Sequence, residues 1–120
     1  MSGKPPAPIK PAVTIDDFSR LDIRVGRIIK VSDVAGSRKL VKLEVSFGDH
    51  QRAILAGMKE EREHPEEIEG RQAIFLVNLE PKKMAGTVSE GMLIDIGYAD
   101  GLTPVLAVPE ADVPDGTRLG

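Results

Sequence analysis

The chain has no cysteine and no tryptophan, and its aromatic residues are three phenylalanines and one tyrosine. Without thiols, disulfides and thiolate metal sites are excluded. Proteins that grip a single nucleic-acid strand stack successive bases on aromatic rings. Phe18, Phe47 and Phe75 all read as core residues, so that mode is not expected here. No apolar run approaches the ~20 residues of a membrane span, and residues 2–11 are polar and proline-rich, unlike an export signal. A cytoplasmic address is the resulting expectation. Also missing are a phosphate-cradling glycine loop, a Ser/His/Asp order with usable partners, and paired acids outside one glutamate segment. An enzyme is therefore the least supported class. His50 and His64 are isolated histidines, and the partners a metal site needs are not offered, so neither a metal nor a cofactor is expected.

What is present fits one small domain. The 120 residues are 41% apolar, enough for a single core. A net charge of −3 argues against a polyanionic partner, but its distribution softens that objection. Between positions 59 and 70, Glu60, Glu61, Glu63, Glu66, Glu67 and Glu69 face only Lys59 and Arg62, a local balance of −4 that leaves the rest at +1. Composition alone fits a solvated acidic segment on a neutral surface equally well.

Along the chain, residues 1–13 carry Pro5, Pro6, Pro8 and Pro11 and read as an extended, flexible tail ahead of a domain over 14–120. Thr14 with Asp17 forms a capping box, predicting a short helix with Phe18 and Leu21 as its core contacts. Residues 23–34 form a long strand candidate, with Gly26 marking a bulge or bend. Val41, Leu43, Val45 and Phe47 alternate with polar residues in a second strand, and 51–56 form a third after the Gly48-Asp49-His50 turn. Pro65 opens a short helix that Gly70 ends. Apolar runs at 73–77 and 93–96 are the fourth and fifth strands, and an extra C-terminal strand is expected at 104–108.

That order is expected of an all-β OB-fold, a five-stranded Greek-key barrel with short helices and here an extra C-terminal strand. In such a barrel the ligand face lies on strands 2 and 3, between the loop joining strands 1 and 2 and the loop joining strands 4 and 5. Those loops hold Arg38-Lys39 and Lys82-Lys83, with Lys42 and Arg52 on or near the strands between them. Cations scattered in sequence would thus converge on one groove.

The 78–92 connector, Asn-Leu-Glu-Pro-Lys-Lys-Met-Ala-Gly-Thr-Val-Ser-Glu-Gly-Met, is too long for a hairpin turn and reads as an ordered functional loop. It offers two cations, an amide, a hydroxyl and an acid. Each has a plainer reading. Lys82-Lys83 suits a solvated turn, Ser89-Glu90 a brace for the loop, and Met84 and Met92 core or rim packing. Arg24 and Arg27 suit a sheet face or a dimer contact.

Asp17-Phe18, the Leu21–Gly26 run, Lys39-Leu40 with Leu43, the 78–92 stretch and the ending Val113–Arg118 together resemble the tRNA-binding domain appended to many methionyl-tRNA synthetases. They are equally similar to the free-standing dimeric tRNA-binding proteins of that family. The similarity runs from about Ile15 to Leu119, and Asn-Leu-x-Pro-Lys-Lys-Met followed by Ser-Glu-Gly-Met is its most specific part. The resemblance implies an OB-fold, shape-directed tRNA binding, homodimerisation and a synthetase as a partner. It places Asn78, Lys82, Lys83, Met84, Ser89, Glu90 and Met92 on the binding loop. Three departures stand out: Ala56-Gly57-Met58 where many members have Ser-Gly-Ile, Arg62 in place of an aromatic, and Lys82 in place of an arginine. The last loses a forked donor for phosphate. The CsaA-type export chaperones, which bind unfolded presecretory polypeptides, share the fold and much of the 78–92 pattern. The short hairpin at 48–50 and the retained Gly91-Met92 favour the tRNA-binding side.

Overall fold

The computed structural model of the chain describes residues 5–120. Residues 5–13 are exposed and belong to no helix or strand; the first four residues of the expected tail lie outside the described residues. The capping box forms as read. The Asp17 amide donates to Thr14 Oγ1 at 3.1 Å and the Thr14 amide to Asp17 Oδ2 at 3.3 Å, opening α1 (Ile15–Ser19). One turn is too short to lay a face on the barrel, however. α1 buries nothing, and Phe18 and Leu21, expected in the core, are 43% and 49% exposed.

The strands are β1 (Ile23–Asp33), β2 (Val41–Ser46), β3 (Gln51–Ala56), β4 (Gln72–Leu76), β5 (Lys82–Met84), β6 (Thr87–Ser89), β7 (Met92–Leu93), β8 (Asp95–Ile96) and β9 (Val105–Leu106). A 3₁₀ turn at Pro65–Ile68 precedes β4. β3, β2, β1, β4 and β7 form one antiparallel sheet in that order, curled into a nearly closed barrel. β1 serves both sides of it, pairing through Ile23–Arg27 with β4 and through Arg27–Asp33 with β2. The ladder slips between Ile28 and Lys30, so the irregularity lies at Ile29 and not at Gly26 as expected. Gly26 pairs regularly with Ala73 and has a different task. A Cβ there would stand 2.5 Å from Val45 Cγ1 and 2.8 Å from Phe47 Cε1, so the missing side chain makes room for the core.

That core holds Ile28, Leu43, Val45, Ile54, Ile68 and Phe75, all fully buried, with Phe47 edge-on to Phe75 at 5.7 Å. The C-terminal strand is shorter than expected and pairs with β8. Residues 116–119 then run along the free edge of β1. The Gly116 amide donates to Val25 O at 2.7 Å, the Val25 amide to Thr117 O at 2.8 Å, and the Leu119 amide to Ile23 O at 2.9 Å. Arg27 fixes this segment through Asp112 and Asp115, which is a structural use of a cation left open in the sequence. Arg24 is likewise taken, in a forked pair with Asp22.

Candidate nucleic-acid interface

The 78–92 connector is itself a β-hairpin. β5 and β6 pair Lys82 with Ser89, Lys83 with Val88 and Met84 with Thr87 around Ala85-Gly86, both at positive φ (50° and 81°). This is the primed geometry that suits a tight hairpin. Ala-Gly lacks the asparagine or aspartate that usually announces such a turn, which is why the sequence reads as a loop. Alternation along a strand has a direct consequence. Lys82 and Met84 share the ribbon face that carries buried Ser89, whereas Lys83 lies on the other face with exposed Val88. The adjacent lysines therefore face opposite ways.

Asn78, Ser89 and Glu90 of the stretch, with Arg52 of β3, build the fold. Ser89 is 5% exposed; its Oγ accepts the Leu55 amide at 3.0 Å and donates to Gly91 O at 3.1 Å. The Glu90 amide donates to Ala53 O at 2.8 Å, and Glu90 Oε1 accepts the Ala53 amide at 3.2 Å. These bonds seam β3 to residues 89–91 where the barrel would otherwise stay open. Arg52 Nη1 donates to Val77 O at 2.7 Å and Glu90 O at 3.2 Å, and Arg52 Nε to His50 Nε2 at 3.1 Å. Asn78 ties α1 down: its Oδ1 accepts the Asp22 amide at 2.8 Å and its Nδ2 donates to Arg20 O at 2.7 Å.

The side chains of Arg38, Lys39, Lys42, Lys82 and Lys83 have no ion pair or hydrogen bond among the described residues. Arg38 and Lys39 sit on the β1–β2 loop, which an unanticipated residue holds. Lys59 Nζ donates to Ser37 O at 2.6 Å and Val34 O at 3.1 Å and pairs with Asp33, while the Lys59 amide donates to Lys39 O at 3.1 Å. Nothing in the sequence separates Lys59 from its acidic neighbours.

The expected groove is altered in two respects. Lys42 alternates outward from Val41 and Leu43, whereas Arg52 pairs with Val45 and so lies on the other side of the sheet. The surface beside the loops is also not uniformly basic. The 57–62 turn borders both of them, bonded to Lys39 on one side and facing Met84 across a cavity on the other, and it carries Glu60 and Glu61. Burial, reinforced by Asp95 and opposed by Arg62, pushes the Glu61 carboxyl above its ordinary range. The cavity, about 370 Å³, is walled mainly by apolar side chains, including Leu55, Met58, Met84, Met92 and Leu106. Met84 and Met92 thus stand at its wall.

A small antiparallel barrel that seals itself with its own polar groups and leaves cations free on flanking loops has the architecture of an oligonucleotide-binding OB-fold. Residues 23–118 match the family model described as "Putative tRNA binding domain", and the chain belongs to this tRNA-binding domain family. It is 44% identical over 110 residues to a methionine–tRNA ligase of Archaeoglobus fulgidus, covering 92% of this chain and 16% of that protein. The chain thus spans about a sixth of that relative's length. Among solved structures, it resembles a MetRS-related protein from Pyrococcus horikoshii at 37% identity and TM-score 0.84, covering 92% of this chain and all of the other. The chaperone CsaA of Bacillus anthracis is similar at 28% identity and TM-score 0.79, again over 92% of this chain and all of that one.

Proposed function

We propose that the protein is a non-catalytic, cytoplasmic tRNA-binding module that reads a folded RNA through phosphate and shape contacts, acting alone or beside a methionyl-tRNA synthetase. One observation carries this reading. Of the residues that the family pattern and the barrel geometry nominate, Arg38, Lys39, Lys42, Lys82 and Lys83 spend their charges on no partner among the described residues. Free cations on loops suit backbone phosphates, and Phe18 and Tyr98, the two exposed aromatics, are too few for a stacking track along a single strand, which suits shape recognition. Arg52, Asn78, Ser89 and Glu90 then support the site from behind, and Met84 and Met92 supply its soft edge.

A homodimer fits the same reading. Val13, Ile15, Phe18, Leu21 and Leu119 leave exposed apolar surface where α1 meets the C-terminus, a patch that a second copy would cover. Two sites on one RNA would then raise avidity without new contacts. Sedimentation of the full chain tests this, with Phe18→Ser expected to shift dimer to monomer. The second reading is a CsaA-type chaperone for unfolded polypeptide, which would use the mainly apolar walls of the cavity beside Met84. The deciding experiment is a gel-shift titration with total tRNA at two salt concentrations and an unfolded peptide as competitor. Steep weakening with salt supports tRNA; displacement by peptide with indifference to salt supports the chaperone.

A further inference from the structure

The cavity beside the β5–β6 hairpin has a chemically mixed lining. Its walls are thioether and aliphatic, from Met58, Met84, Met92 and Leu55, and its charged lining is Glu61, Asp95 and Arg62, the last already paired with Glu67 at 2.8 Å, with the ring of Tyr98 beside them. Lys82, outside the lining, lies two residues from Met84 on the same face of the β5–β6 ribbon, so a cation with no partner among the described residues stands on the cavity's side of the hairpin. Burial first, and Asp95 second, push the Glu61 carboxyl above its ordinary range, and both acids line the cavity. With Arg62 engaged by Glu67, a phosphate is disfavoured beside the two acids. Whatever enters must therefore present hydrogen-bond donors to the carboxylates and a flat or apolar body to the methionines.

We propose that this cavity takes one unstacked guanine base of the bound RNA, with its 5′ phosphate on Lys82 and its N1–H and N2–H₂ edge on Glu61 and Asp95. Guanine is the base whose pairing edge offers two adjacent donors, a match for one carboxylate. Adenine presents a lone pair at N1, which an ionised carboxylate repels. A polypeptide is the poorer occupant: the basic side chain that would suit the acids brings a second cation towards Lys82. A nucleotide joins an anionic phosphate to a donor-rich base, which suits a cation beside the cavity and acids within it. The inference rests on the RNA-binding reading and adds to it a single point of base discrimination.

Methyl NMR on the full chain, following Met58, Met84 and Met92, tests it with GMP and AMP as probes. GMP should move the Met84 and Met92 signals and bind about tenfold tighter than AMP. Glu61→Gln should equalise the two nucleotides. Gly57→Leu should block GMP, since Gly57 lines the cavity, a Cβ there meets nothing within 4 Å, and its φ is an ordinary one. Equal response to both nucleotides, or none, with tRNA still shifted in a gel, overturns the guanine site and leaves tRNA binding intact. Methionine shifts produced by an unfolded peptide but not by GMP would overturn it in favour of a polypeptide ligand. Loss of the tRNA gel shift itself removes the reading on which the site depends.

Discussion

The seam and the ribbon are consecutive in sequence and opposite in character. In the seam, Ser89 and Glu90 use their side chains on the β3 backbone, and Arg52 caps carbonyls at the same end. In the ribbon, Lys82 and Lys83 use theirs on nothing among the described residues. A polar residue inside a specific motif is therefore no guide to ligand contact until its hydrogen bonds are traced. The seam should govern stability and the ribbon affinity.

The largest stability effect is expected in the core on which both regions rest. Gly26→Ala would force a methyl group into Val45 and Phe47, costing about 3 kcal/mol by overpacking, visible as a lowered urea midpoint. Next comes the seam itself. Ser89→Ala leaves the Leu55 amide without its acceptor in a buried position, for a loss of about 2 kcal/mol. A wild-type melting temperature in that variant would break the comparison.

Titration gives smaller and opposite effects. The Glu61 carboxyl is raised, so the folded state binds its proton more tightly than the unfolded chain. Its favourable contribution is present at low pH and lost as pH rises through the carboxylate range, so Glu61→Gln should gain less than about 1 kcal/mol at neutral pH. Asp22 is lowered by its bond to Arg24, and its contribution is present at neutral pH and lost as pH falls below the ordinary aspartate range. Denaturation of Asp22→Asn against pH should lose that acid limb while Glu61→Gln keeps it. Smallest of all for stability, and decisive for function, is Lys82→Ala with Lys83→Ala. Unfolding should change by no more than about 0.5 kcal/mol, while the dependence of tRNA affinity on salt should flatten by about two phosphate contacts. Unchanged tRNA binding would sink the assignment of the ribbon.

Most of the barrel was legible from period and punctuation. Val41 to Phe47 alternates, Thr14 and Asp17 cap as their spacing says, and Gly70 stops the turn that Pro65 starts, at φ 86°. Short-range patterns of this kind are set by local sterics and read directly. The misreadings concern partners distant in sequence. Gly26 looked like a bend because its real neighbours, Val45 and Phe47, are about twenty residues away. Phe18 reads as buried because it is a large apolar residue just inside a well-capped helix, but one turn gives it no surface to meet. At the site, Lys82 and Lys83 were found as cations, yet their opposite faces depend on a hairpin whose Ala85-Gly86 turn gives little warning. Arg52 and Ser89 were found as polar, yet their acceptors and donors belong to other strands.

The Lys59 ammonium has three oxygen neighbours around the β1–β2 loop and no spare donor. That stretch of backbone is accordingly arranged before any ligand arrives, and the entropy of ordering it belongs to folding and not to association. Arg38 and Lys39 would meet an RNA from a frame already set, with only their own side-chain torsions left to settle.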